Sequence, residues 1–366
     1  MSRKKSLRRY GVPIAVGAGA LLIATGTGIF MAGADDDLPE RTAEDLFEAV
    51  QNADVEGYVG TIEQTSDLGM PDLGLDSANP ASLSPGSHEF GVWSDSSGNM
   101  RASAEGDLAE SSIVVNDSDM WAFNKELGLA GHSVLPEDLA GLPASPLSPL
   151  SALAGFSGDP AQTADSVLSV VEDVDDLELT TDGVETIAGR DAYGLLIEPK
   201  AEDVLVDAMR LVVDAETGLP LQTQLFSQGK ETPAFENVFK NLELEVPDAD
   251  VFEFEPPEGV EVVEGAVSEV LGTLQGVALG GDATAIGSGL ETISVSELDQ
   301  QELLDQLAAL GVDTSAVDDA LSTLEPVSGD WGSGKLLQTD LFNVLLSDDG
   351  VIAAGAVSPE MLYEVV

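Results

Sequence analysis

The sequence predicts an α+β fold built around a large antiparallel sheet, and three observations lead there. Short period-two alternations recur between Gly, Pro, Asn and Asp turn signals, a few segments place apolar residues at helical spacing, and no repeat of fixed period points to a solenoid or propeller. The 366 residues exceed one ordinary domain, so two folded units behind a targeting segment are expected.

Residues 1–37 form the targeting segment. Arg3, Lys4, Lys5, Arg8 and Arg9 precede an uncharged apolar run from Gly11 to Ala34. About 20 apolar residues span a bilayer, so the run reads as a single-pass membrane anchor with the basic tip cytoplasmic and the body extracytoplasmic. Ala32-Gly33-Ala34 before Asp35 also has the form of a signal-peptidase site, which leaves secretion after cleavage near Ala34 as the alternative.

Residues 38–264 are read as the first domain. Thr42 to Gln51 has Ala43, Leu46, Phe47 and Val50 on one helical face, with Thr42 as cap. Strand patterns follow at Val55 to Ile62, Ser87 to Trp93, Asn99 to Glu105, Ser111 to Asn116 and Asp119 to Asn124. Asp67 to Gly86 and Leu127 to Gln162 are rich in Pro, Gly and Ser and read as loops, and Gln162 to Val174 reads as a helix across the sheet.

A second strand series is predicted at Leu177 to Thr181, Arg190 to Ile197, Ala208 to Asp214, Leu219 to Gln228, Phe235 to Val246 and Val251 to Glu255. Gly218 supplies the positive φ of a hairpin, and Pro220 just inside the next strand predicts an edge or a bulge there. In Leu242 to Val246 apolar residues alternate with acids, so one face of the sheet is expected to be wet.

Residues 265–292 form a Gly/Ala-rich linker, and residues 293–366 a small α+β domain. Its helical patterns are Ser296 to Leu310 and Ser315 to Leu324. Strands at Lys335 to Leu346 and Val351 to Val357 meet at an Asp-Gly turn, and a short helix from Pro359 to Tyr363 closes the chain.

Acids outnumber bases 67 to 14, giving a formal charge of -53 that repels nucleic acid and anionic headgroups. Hydrophobic residues are still 43% of the chain, enough to build folded cores, so the acid is a coat on a globular protein. Such a coat suits concentrated salt, where the Debye length shrinks to about 3 Å at 1 M. The clusters Asp35, Asp36, Asp37 and Asp173, Asp175, Asp176 lack the calcium-loop spacing and read as solvated.

No cysteine is present, which excludes disulfides, thiolate sites and a lipidated N-terminal cysteine. The two histidines, His88 and His132, sit in no metalloprotease or hydrolase motif, and His88 alternates with Phe90 and Val92 as a scaffold residue would. Gly329 to Leu336 has the Gly-x4-Gly-Lys spacing of a phosphate loop, but Leu336 replaces the Mg²⁺-binding hydroxyl and a strand follows instead of a helix. The chain is therefore read as a non-enzyme, with no catalytic residue, metal or cofactor expected.

Several motifs occur in order: AVQNADVEGYVGTIEQTSDLGMP from Ala49, GSHEFGVW from Gly86, AGRDAYGLLIEPK from Ala188, VDAETGLPLQTQLFSQG from Val213, and PAFENVFKNLELEVPDADVFEFEPPEGVEV from Pro233. On these, the stretch Ala43 to Glu264 resembles the actinobacterial-type branch of the LolA-like lipoprotein-carrier and lipoprotein-sorting superfamily, related to the RseB N-terminal and LppX/LprG folds. WGSGKLLQTDLFNVLLSDDG from Trp331 is also similar to actinobacterial members. The resemblance implies a strongly curved antiparallel half-barrel with covering helices, whose apolar face holds acyl chains of lipid or lipoprotein.

On that basis the expected lining is Phe90, Val92, Trp121, Phe123, Tyr193, Leu195, Ile197, Met209, Leu211, Val213, Leu221 and Leu225. Each buried CH₂ would contribute about 0.8 kcal/mol. The same residues are equally those of an ordinary core. The alternative function that the resemblance implies is a membrane-anchored envelope-stress regulator that senses lipoproteins and contacts an anti-sigma partner through the C-terminal domain.

Overall fold

A computed structural model describes residues 38–53, 55–69, 85–105, 110–125, 128–134, 160–161, 164, 176–201, 203–264, 284–297 and 322–366. Two sheets account for most of them. The first half of the chain gives helix α1 (Ala43–Gln51) and strands β1 (Gly57–Ser66), β2 (Gly86–Asp95), β3 (Met100–Glu105), β4 (Glu110–Asn116), β5 (Asp119–Asn124) and β6 (Leu129–Val134). Then come β7 (Leu177–Ile187), β8 (Arg190–Pro199), β9 (Val206–Asp214), β10 (Pro220–Ser227), β11 (Phe235–Glu243) and β12 (Glu261–Glu264). They form one 12-stranded sheet in the order β12-β6-β5-β4-β3-β2-β1-β11-β10-β9-β8-β7.

Every pairing in it is antiparallel except the last: β12 runs parallel to β6. The strand β7 also comes beside β11, although three strands separate them in the ladder, so this end of the sheet is rolled. Strands β8, β9 and β10 lie in the roll and are buried along most of their length, polar residues such as Asp214, Gln222 and Thr223 included. In β1, by contrast, buried and half-buried residues alternate.

The second sheet has six strands in the order β13-β14-β18-β17-β16-β15. These are β13 (Thr284–Ile286), β14 (Ile293–Glu297), β15 (Glu325–Gly329), β16 (Gly332–Gln338), β17 (Asn343–Ser347) and β18 (Val351–Gly355), followed by helix α2 (Pro359–Tyr363). Its own core holds Ile293, Leu336, Leu345, Ala353, Val357 and Leu362, with Trp331 stacked on Tyr363 at 5.2 Å between ring centroids.

Helix α1 starts at a capping box, with Thr42 Oγ1 accepting from Asp45 N and the Asp45 carboxylate accepting from Thr42 N. Its Ala43, Leu46 and Phe47 are buried against the sheet. Gly218, at φ 77°, closes the β9–β10 loop directly under α1. A Cβ there would lie 2.4 Å from the Ala49 carbonyl oxygen, so glycine allows the helix to sit this close.

The described residues are mostly β, and the structure corrects several expected elements. The Val251 to Glu255 segment is a single 3-10 turn, Ala249–Phe252, because Pro247 and the surrounding acids leave it too short to pair. Lys335 to Leu346 is two strands, split by the turn Thr339 to Phe342. Ser296 and Glu297 end β14 instead of opening a helix. Strands β6, β12, β13, β14 and β15 were not expected. Pro220 begins a strand with a bulge at Leu221, as its position predicted, but β10 is central and not an edge.

The apolar run Gly11 to Ala34 lies outside the described residues. So do most of the helical patterns at 162–174, 296–310 and 315–324. No helix among the described residues is long and apolar enough to cross a membrane.

Candidate ligand-binding face

Register decides which side chains share a face of the large sheet. Ile62 faces Phe90 on β2 and Phe239 on β11, while Ser66 faces Phe235, which faces Leu225. Leu225 faces Met209, Met209 faces Ile197, Leu211 faces Leu195, and Val213 faces Tyr193. Following the ladder, Phe90, Val92, Tyr193, Leu195, Ile197, Met209, Leu211, Val213 and Leu225 all project from one face, and all are buried. Leu221, at the bulge, packs in the same cluster as Phe90 and Val92.

Trp121 and Phe123 are placed differently. Val92 faces Ala102, Ala102 faces Ile113, and Ile113 faces Ala122, so their neighbours on β5 point the opposite way. There Trp121 stacks on His132 at 4.2 Å, and Phe254 lies 5.3 Å from Trp121 and 5.7 Å from Phe123. Arg101 Nη1 donates to the Val251 carbonyl at 3.1 Å and holds the Phe254 segment over these rings. The alternation of Trp121 and Phe123 was legible, but not which face they would join.

The shared face has two apolar clusters with a polar row between them. Thr223, Asn237, Gln64 and His88 are consecutive cross-strand neighbours on β10, β11, β1 and β2. Thr223 and Asn237 are fully buried, and Thr223 Oγ1 donates to the Pro160 carbonyl at 2.8 Å. On the β1–β2 side lie Tyr58, Ile62, Phe90, Val92, Phe239 and Leu242.

On the other side, seven of the expected lining residues are packed by groups from elsewhere in the chain: Leu46 and Phe47 of α1, Leu68, Ala164, and Leu341, Phe342 and Ala356 of the C-terminal unit. Tyr193 donates from its hydroxyl to the Pro39 carbonyl at 2.7 Å, with Arg41 over its ring at 5.7 Å. Of these covering residues, Leu46 and Phe47 had a sequence signal in their helical spacing. Leu341 and Phe342 were hidden inside an expected strand.

The opposite face at the rolled end carries a small buried cluster of Leu196, Ala208 and Phe226 beside a polar network. Arg210 on β9 donates to Asp182 at 2.6 Å and Glu185 at 2.5 Å, Gln224 donates to Glu236, and Lys240 pairs with Glu63 at 2.9 Å. Burial pushes the Glu236 carboxyl above its ordinary pKa, against the hydrogen bond from Gln224. Arg210 reaches across β8 because Gly194 has no side chain: a Cβ there would meet the Asp182 carbonyl oxygen at 2.3 Å and the guanidinium at 3.0 Å.

A surface depression of about 490 Å³ beside α1, lined by Arg41, Asp45, Glu48, Ala49 and Asn52, includes none of the twelve residues expected as lining. Among the described residues no group of three His, Asp or Glu is placed to hold a metal ion.

No protein-family model matches the chain, and no curated protein does either. Solved structures do. The MucA/MucB complex of Pseudomonas aeruginosa matches over 88% of this chain and 96% of that one, at 17% identity and a TM-score of 0.46. A LolA superfamily protein from Nitrosomonas europaea matches over 59% of this chain and 99% of its own, at 13% identity and a TM-score of 0.23. The Mycobacterium tuberculosis lipoprotein LppX matches over 56% of this chain and 98% of its own, at 8% identity and a TM-score of 0.30.

Proposed function

We propose that the chain is an extracytoplasmic cell-envelope protein that binds the acyl chains of a lipid or lipoprotein on the apolar face of its rolled sheet, for carriage or sorting. The observation that supports this most is register: nine of the residues chosen as lining from the sequence stand on a single buried face. That face is amphiphile-like in its own layout, with apolar clusters on either side of the row Thr223, Asn237, Gln64 and His88.

The test is native mass spectrometry with lipid extraction on residues 38–366, purified in high salt from a lipid-containing host. A stoichiometric acyl-chain ligand is expected and would name the cargo class. Ligand-free protein that also fails to take up lipid offered in vesicles would sink the proposal.

The second reading, a regulator that grips an envelope partner through its C-terminal unit, draws support from how that unit is attached. Leu341, Phe342 and Ala356 share a core with the first sheet, so the unit is positioned to respond to what that sheet holds. Capture of a membrane partner that depends on the exposed edge of the second sheet, and not on lipid, would favour this reading over carriage.

A further inference from the structure

The turn Thr339 to Phe342 reaches out of the second sheet, and its two apolar residues are 2% and 3% exposed within the cluster formed by Leu195, Leu211, Leu225 and Phe235. We propose that the Leu341–Phe342 turn is a built-in plug: it occupies part of the acyl-chain site, and ligand entry requires it to leave. This rests on the acyl-binding reading and adds its regulation.

Three features fit a plug better than a permanent piece of core. The turn holds its own shape: Thr339 Oγ1 accepts from Phe342 N at 3.0 Å and donates to the Phe342 carbonyl at 2.6 Å, while Asn343 Oδ1 accepts from Thr339 N at 3.3 Å. It therefore needs no sheet to fold against. The unit that carries it has a separate core and its own six-stranded ladder, so undocking need not unfold it.

Its described polar attachments to the first sheet's unit are few. Asp340 N donates to the Leu68 carbonyl at 2.8 Å, Leu205 N donates to the Ala356 carbonyl at 2.7 Å, Val204 and Val357 make one isolated bridge, and the exposed Lys230 pairs with Asp340. Among the described residues, Leu341 and Phe342 themselves are held by apolar contact with the cluster, and an acyl chain entering it replaces that contact in kind. Asn343 Nδ2 donates to the Val357 carbonyl at 2.8 Å, so movement of the tip and of the Val204–Val357 bridge are linked.

The absence of cysteine makes a lock simple to build. Facing residues of an antiparallel pair have Cα atoms about 4.5–5.5 Å apart, within disulfide reach. Val204→Cys with Val357→Cys in the full-length chain should therefore oxidise to a single bond, checked by mass. Uptake of pyrene-labelled phosphatidylcholine from phosphatidylcholine vesicles in high salt is then compared before and after reduction.

The plug predicts uptake at least roughly tenfold weaker in the oxidised protein, restored to the wild-type level by reductant. Asp340→Asn, which removes the ion pair without changing size, should raise uptake about two- to fourfold. Equal uptake in the oxidised and reduced states, with wild type binding normally, overturns the plug alone. No uptake by wild type overturns the acyl-binding reading and the plug with it.

Discussion

His132 Nδ1 lies 2.8 Å from the Glu264 carboxylate, so one imidazole ties the last strand of the large sheet to its neighbour. The ring's other nitrogen is 2.9 Å from Asp119, and its face stacks on Trp121. Burial alone would lower the His132 pKa, but the hydrogen bonds and charges of Glu264 and Asp119 raise it above its ordinary 6.5. A raised folded-state value means the clamp is fully present below pH 6.5 and is lost as pH rises through that higher value. Protonated imidazole against an indole quenches it, so tryptophan emission should step with a midpoint above 6.5. His132→Gln should abolish the step; a midpoint below 6.5 would refute the clamp.

Asp214 is held by two hydrogen bonds from Arg190, at 2.6 and 3.0 Å, and accepts from Thr217 N and Oγ1 at 2.8 and 2.7 Å. Burial would raise its pKa, but these donors lower it below 3.8. Its contribution is present above pH 3.8 and is lost as pH falls through the depressed value. Arg190→Ala leaves a buried carboxylate without its cation, so stability should fall by about 3 kcal/mol in denaturant melts at neutral pH. A loss under about 1 kcal/mol would show that water replaces the arginine.

Gly194→Ala places a methyl where the Asp182 carbonyl stands. Displacing that bulge breaks the Arg210–Asp182 contact, and a destabilisation of about 1–3 kcal/mol is expected. Gly98→Ala is the control, since a Cβ there meets nothing within 4 Å. Its effect should come only from the positive φ of 88°.

The formal charge of -53 predicts a stability that climbs with salt. Self-repulsion among carboxylates is screened as the Debye length falls from about 10 Å at 0.1 M to about 3 Å at 1 M. Thermal midpoints should rise steadily over that range in potassium chloride, and a flat profile would show that the acids are spaced beyond each other's reach.

The strand series of the first unit was legible because alternation and turn residues agree. Asp119 to Asn124 was read with both its ends, and Leu177, Arg190 and Phe235 each begin the strand assigned to them. Strand β6 was missed because Leu129 to Val134 interrupts its apolar residues with Gly131 and His132 inside a stretch full of loop residues. Strands β12 and β13 are 4 and 3 residues long, too short to show a period. The turn Thr339 to Phe342 escaped notice because Leu341 and Phe342 look like strand residues, and only the hydrogen bonds of Thr339 and Asn343 bend the chain there. Of the candidate face, alternation showed which neighbours within a strand share a side; which face Trp121 joins depends on long-range register.

The row Thr223, Asn237, Gln64 and His88 also bears on how this sheet finds its alignment. Sliding a strand by one position turns its whole inward set to the other face, and in β9 and β10 it would bring Arg210 and Gln224 in against the apolar clusters. Thr223, Asn237, Gln64 and His88 are cross-strand neighbours in one register only, and a one-position slip of any of the four strands breaks the row by turning its member to the other face. The row then works like the notch of a key: a small sacrifice of greasy contact that makes one threading of the barrel wall distinguishable from all its near copies.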